Sequence, residues 1–232
     1  GRVGTRESNL KFDWPTGQAV EFWLKKDEFI DSLTEKEVIF DLWNGEASGS
    51  DSYGRLTLFL TASSTPLRMN VMSGTTGFAD VNLNTGLTDT TLADGTWRHY
   101  AVTFKSGSTA ADINVYVDGN PVSSLSSAIN FQEVTGALRA RIGALTSAPS
   151  GNVYHGIDLA GAGKLSASLD EFRYWKADRT HEEIGLNFWT QIRGGTNTDI
   201  SNTELGVYYK FNEGITSDTS LDSIVIDYSG RI

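Results

Sequence analysis

The chain has 232 residues, 39% of them hydrophobic, no cysteine and a formal net charge of −10. Its length and apolar content suit one large β domain spanning 1–232. The missing cysteines exclude disulfides and thiolate metal sites, and an acidic surface repels a phosphate backbone, so no nucleic-acid partner is expected.

In chain order, short segments alternate apolar and polar residues with a period of two, the mark of half-buried strands. Val20, Phe22 and Leu24 alternate with Glu21, Trp23 and Lys25; Val38, Phe40 and Leu42 with Ile39, Asp41 and Trp43; Leu56, Leu58 and Leu60 with Arg55, Thr57 and Phe59. Leu67, Met69 and Val71 form a further set, followed by Tyr100, Val102 and Phe104. Ile113, Val115 and Val117 lead into Asp118-Gly119, a hairpin signal, and Leu138, Ala140 and Ile142 alternate with two arginines. Three stretches read as long polar loops: 44–54, 73–95 and 146–164. Long loops on a β scaffold are common carriers of binding.

Near the C-terminus, Leu169 to Trp175 reads as a strand. Strict alternation puts Asp170 on one face with Phe172 and Tyr174. A carboxylate facing a core must be paired, protonated or metal-bound, because burying it alone is too costly. Thr180-His181-Glu182-Glu183 is a capping box. With Ile184 and Phe188 one turn apart and Gly194-Gly195 beyond, it predicts one short helix near 180–193 covering an edge or end of the sheets.

Catalytic signatures are missing from the sequence. It has no E-x-D-x-x-E strand, G-x-S-x-G or H-E-x-x-H, and His99, His155 and His181 show no ligand spacing. Glu21 and Asp41 each stand alone on their strands. Candidate ligand contacts are loop aromatics beside polar groups: Tyr53 with Asp51, and Tyr154 with His155 and Asp158. Trp23, Trp43 and Trp175 stand opposite the core-like residues of their strands, where a Trp is more often packed under another element than open to a ligand. No apolar run approaches the roughly 18 residues of a membrane span, so membrane insertion is not expected. Gly1-Arg2-Val3-Gly4 has no apolar leader and reads as a cut end within a longer chain.

Five segments, in order, resemble one family. Ala19–Lys25, preceded by Leu10–Asp13, is similar to the opening strand of laminin-G-like domains. Thr96–Phe104 resembles their "W-x-H-V-A-V-T-F" strand, Asn114–Gly119 their "YvDG" hairpin, Leu169–Ile184 their "iDEvRiy…E-I" segment, and Leu205–Gly214 with Asp227–Gly230 their "y-x-F-d-E-G…D-x-S-G" close. The resemblance implies an all-β, two-sheet antiparallel jelly-roll sandwich of the concanavalin A-like type. It also implies a structural calcium ion held by Asp170, with Asp13 and Gly45 as further ligands; the alternative is an Asp170 hydrogen-bonded to loop amides or to an arginine. Gly194–Asn197 and Tyr209–Gly214 further resemble structural proteins of tailed phages. The function expected on this basis is a non-catalytic recognition or adhesion module, extracellular or on a virion surface, binding a surface glycan or protein and displayed in multiple copies. The alternatives are a purely architectural spacer, or a glycoside hydrolase or lyase on the same fold.

Overall fold

Apolar alternation lets each strand bury one face, and the sheets form where these faces meet. The computed structural model describes residues 9–29, 36–146, 163–192, 203–213 and 225–229. The strands are β1 (Gln18–Lys25), β2 (Lys36–Trp43), β3 (Gly54–Thr61), β4 (Leu67–Ser73), β5 (Thr76–Asn82), β6 (Arg98–Ser106), β7 (Ala111–Val117), β8 (Asn120–Ser127), β9 (Arg139–Ile142), β10 (Ser168–Trp175) and β11 (Leu205–Tyr209). Two short helices, α1 (Asp89–Leu92) and α2 (His181–Asn187), complete the described elements.

The strands pair antiparallel into two sheets. One has six strands in the order β11-β10-β1-β6-β7-β8, the other five in the order β5-β4-β3-β2-β9. Their inner faces interdigitate in one core containing Phe22, Leu24, Phe40, Leu58, Val71, Tyr100, Phe104 and Phe172. This is the expected two-sheet antiparallel sandwich. The stretch 73–95, expected to be loop, instead holds β5 and α1. Tertiary pairing to β4 supplies what the local sequence of β5, Thr-Gly-Phe-Ala-Asp-Val-Asn, does not advertise.

Two β-bulges change which side chains face inward. In β2 the register shifts between Val38 and Phe40, so Ile39 and Phe40 both enter the core while Val38 turns outward to Phe59 and Leu145. In β10 the shift falls opposite Phe22, at Glu171, whose φ is +49°. One extra residue inverts the facing of everything before it. Leu169, paired with the core residue Leu24, therefore packs inward, and Asp170, paired with Trp23, faces outward.

The predicted helix is present, but it ends at Asn187 and lies on the outer face of the six-stranded sheet rather than at an edge. Thr180 accepts from the Glu183 amide and Glu183 from the Thr180 amide, as the sequence indicated. Ile184 packs on Ala101 and Tyr116. Phe188, just past the helix, stacks on Trp23 at 6.1 Å and contacts His99 at 5.6 Å between ring centres. Arg173 donates to the carbonyls of Asn187 (3.2 Å) and Thr190 (2.5 Å), tying the following turn to the sheet. The β7–β8 turn passes close by: a Cβ on Gly119 would lie 2.5 Å from the Phe188 ring.

Candidate functional site

The three residues expected to hold calcium do not converge. Asp13 precedes the start of β1 and is tied into its own turn, ion-paired with Lys11 at 2.7 Å and accepting from the Thr16 amide at 3.3 Å. Burial pushes its carboxyl up, but Lys11 and the Thr16 amide outweigh that and hold it below the usual range. Asp170 lies opposite Trp23, near the other end of β1. The five residue steps from Gln18 to Trp23 put roughly 16 Å of strand between the two ends. Gly45, exposed with φ +84°, follows β2 in the other sheet. Asp170 does not face the core beside Phe172 and Tyr174: the bulge at Glu171 turns it out, where it is half-buried and accepts from the Glu171 amide at 2.9 Å. Burial, then the neighbouring Glu171 charge, raise its pKa. No cluster of three or more acidic or histidine side chains with metal-site geometry occurs among the described residues. These residues do not fit a shared calcium ion.

At the loop end of the sandwich, Asn44 organises residues 44–54. Its Nδ2 donates to the carbonyls of Ser52 (2.6 Å) and Thr135 (2.9 Å), and its Oδ1 accepts from the amides of Glu46 (3.2 Å) and Gly54 (3.1 Å). The expected pair at this end splits. Asp51 is exposed, but Tyr53 is 1% exposed and offers no face for stacking. The turn that hydrogen-bonds the Tyr53 amide to Ser50 and its carbonyl to Gly74 rolls the ring inward. Burial pushes its phenol up to about 12, with Arg55 partly opposing. The aromatic surface that remains here is Trp43, half-buried, its indole N–H given to the Glu46 carbonyl at 2.8 Å. Exposed Arg139 lies across the ladder from it. Tyr154 and Asp158 lie outside the described residues.

The buried strand carboxylates are locked in ion pairs. Asp41, fully buried, accepts from Arg55 Nε (2.8 Å) and Nη2 (2.7 Å), from the Thr57 hydroxyl (2.9 Å) and from the Thr146 amide (2.8 Å). Glu37 accepts from buried Lys26 through both oxygens at 2.8 Å and from the Ser166 amide at 2.9 Å. Glu21 sits under α2 with His99 Nε2, Arg173 Nη1 and Arg179 Nε each at 3.6 Å. Burial alone would raise its carboxyl, but His99, Arg173 and Arg179 prevail and pull it below its ordinary value. Glu171 beside it accepts from Arg173 (3.1 Å), Gln191 (3.2 Å) and the Tyr208 hydroxyl. The sequence showed Glu21 and Asp41 as solitary charges. Their partners come from other strands and, for Arg179, from the segment leading into α2, so only the fold reveals them.

Such a layer holds the frame and leaves chemistry to exposed groups. Among the described residues the exposed tryptophans are Trp97, at 42%, and Trp189, at 69%.

No curated protein matches the chain in sequence. Solved structures of similar shape include the SAP-like pentraxin of Limulus polyphemus, with 14% identity, a TM-score of 0.44, and coverage of 74% of this chain and 69% of that one. Domains LG4-5 of the mouse laminin α1 chain give 14% identity and a TM-score of 0.48, over 74% of this chain and 38% of that one. The Ruminococcus gnavus IT-sialidase CBM40 bound to α2,6 sialyllactose gives 11% identity and a TM-score of 0.46, over 74% of this chain and 83% of that one. The Laminin_G_3 family model matches residues 4–185, well over half of the chain. The chain belongs to that family, within the concanavalin A-like lectin/glucanases superfamily.

Proposed function

We propose that this domain is a non-catalytic recognition module that binds a glycan or a protein on a surface, extracellular or on a virion, as part of a longer chain. The observation that carries this reading is the state of its buried strand carboxylates. Glycoside hydrolysis needs two carboxyl groups flanking an accessible bond. Here Glu37 and Asp41 are buried and hydrogen-bonded to Lys26 and Arg55, and Glu21 is buried among His99, Arg173 and Arg179, each 3.6 Å away. A rigid sandwich carrying polar loops is suited to holding a ligand in place, and weak single-site binding becomes effective when several copies are displayed together. Family membership supports the reading by analogy, since one fold hosts many functions.

The test displays the domain on a multivalent carrier and measures retention of cells or immobilised glycans, alongside a reducing-sugar assay on polysaccharides. Retention without turnover is expected. Turnover that disappears when one Asp or Glu is neutralised would make the domain an enzyme. A multimer that retains neither cells, glycans nor proteins would leave only an architectural role.

A further inference from the structure

A strand at the border of a sheet turns a row of backbone N–H and C=O groups outward, and proteins guard such edges with charge, bulges, brevity or a covering segment. The two sheets have four edges: β11 and β8 on the six-stranded sheet, β5 and β9 on the five-stranded one. Three of them are guarded. β11 is covered, with Tyr209 bridged to Asp227 and the Tyr228 amide donating to the Tyr208 carbonyl at 2.7 Å. β9 is four residues long and carries Arg139 and Arg141. β5 is broken by a register shift against β4 and by Asp80 at φ +55°, which pairs with Arg68 at 3.4 Å.

β8 differs. Its eight residues, Asn-Pro-Val-Ser-Ser-Leu-Ser-Ser, carry no charge. Pro121 and the bulge at Val122 interrupt only its start, and Ser123–Ser127 then run in regular register with β7. Beyond that ladder, the one backbone hydrogen bond to residues 120–127 among the described residues is the Ile129 amide on the Ser127 carbonyl, at 2.7 Å. Leu125 lies opposite Ile113 and packs on the core, while Ser124 and Ser126 are exposed opposite Asn114 and Asp112.

We infer that this edge pairs antiparallel with the same edge of a second copy of the chain, about a two-fold axis at Leu125, joining the two six-stranded sheets into one. A two-fold contact must be complementary to itself. Pairing about Leu125 sets Ser124 beside Ser126 of the second copy, and Ser123 beside its Ser127. On the core face, Ile113 and Leu125 then meet Leu125 and Ile113 of the second copy in one apolar row. On the outer face, Asp112 and Ser126 meet Ser124 and Asn114 of the second copy, so no like charges stand opposite each other. β9 paired with itself about Ala140 would set Arg139 against Arg141 of the second copy, which is unfavourable. Charge also selects the occupant. The chain carries −10, so copies repel over most of their surface and approach most easily along an uncharged strand. A charged peptide would find no counter-charge on β8. Strand pairing alone covers less area than a standard interface, so the dimer is weak and tightens as salt screens the net charge. The inference goes beyond the recognition reading and does not depend on which ligand is bound.

The test is sedimentation equilibrium of the full chain over a range of protein and salt concentrations. A monomer–dimer equilibrium that tightens with added salt is expected. Ser124→Lys/Ser126→Lys sets lysines against lysines across the seam and leaves each opposite Asn114 and Asp112 in its own sheet. It should weaken dimerisation about tenfold, with unchanged far-UV circular dichroism and melting temperature. Ser124→Asp/Ser126→Asp should also weaken self-association, and mixing the two variants should restore a heterodimer at least as tight as the parent dimer. A chain that stays monomeric at every concentration and salt overturns the inference. So does a dimer indifferent to both variants, which would place the contact elsewhere, or a mixture of the two variants that stays monomeric. None of these outcomes bears on the recognition reading, which the retention and turnover assays decide separately.

Discussion

Removing the charge of Asp41 should destabilise the domain more than almost any other single-atom change. Asp41→Asn keeps the shape and leaves the Arg55 guanidinium buried without its counter-charge. Breaking a fully buried, bidentate pair by neutralising one partner costs about 3–5 kcal/mol. For a chain of 150–250 residues each kcal/mol moves the melting temperature by about 2–4 °C, so a fall of roughly 6–20 °C is expected. Differential scanning calorimetry reads it directly. The companion variants are Arg55→Met and the double variant Asp41→Leu/Arg55→Met. If the cost comes from the stranded charge, the double variant should be more stable than the summed single effects by about 1 kcal/mol or more. Some loss remains even then, because the Thr57 hydroxyl and Thr146 amide also lose their acceptor. A melting temperature within 2 °C of the parent for Asp41→Asn, or strict additivity in the cycle, would refute the reasoning.

Glu21, whose carboxyl is held below its ordinary value of 4.5 by His99, Arg173 and Arg179, contributes stability that is fully present above pH 4.5 and is lost as the pH falls toward its lower folded value. The melting-temperature gap between the parent and Glu21→Gln should therefore be widest near neutrality and narrow below pH 4.5; a gap independent of pH from 3 to 7 would contradict it. Asp170, its pKa raised by burial and by Glu171, is ionised at some cost at neutral pH, so Asp170→Asn should hold or raise the melting temperature at pH 7. A chelator should not lower it; a sharp loss in either experiment would show that Asp170 meets a cation after all. Gly119→Ala demands a side chain at φ +74° against the Phe188 ring and should cost about 1–3 kcal/mol by pushing α2 off the sheet. Thermal unfolding followed by far-UV circular dichroism checks it; a melting temperature equal to the parent's would contradict the expected clash.

Much of the architecture is local and so was legible in the residues. Alternation in Val20-Phe22-Leu24, Leu56-Leu58-Leu60 and Tyr100-Val102-Phe104 marked strands because a pleat repeats every two residues. The Thr180–Glu183 box marked the helix start because both of its bonds lie within four residues. Asp118-Gly119 marked its hairpin for the same reason.

What the sequence could not hold is the register between distant strands and its interruptions. Glu171 adopts φ +49°, a strained choice for a residue with a side chain, and it is sustained by Arg173, Tyr208 and Gln191 gripping its carboxylate. That one residue turns Asp170 away from the core face expected for it. The turn at Ser50–Tyr53 likewise sends an expected ligand contact into the core. Ser168 and Lys25 lie far apart in the sequence, yet face each other because β1 pairs with β10. Strand identity follows from local periodicity. Which charges neutralise one another, and which aromatics stay open to a ligand, is decided only when sheet order and bulges set those strands side by side.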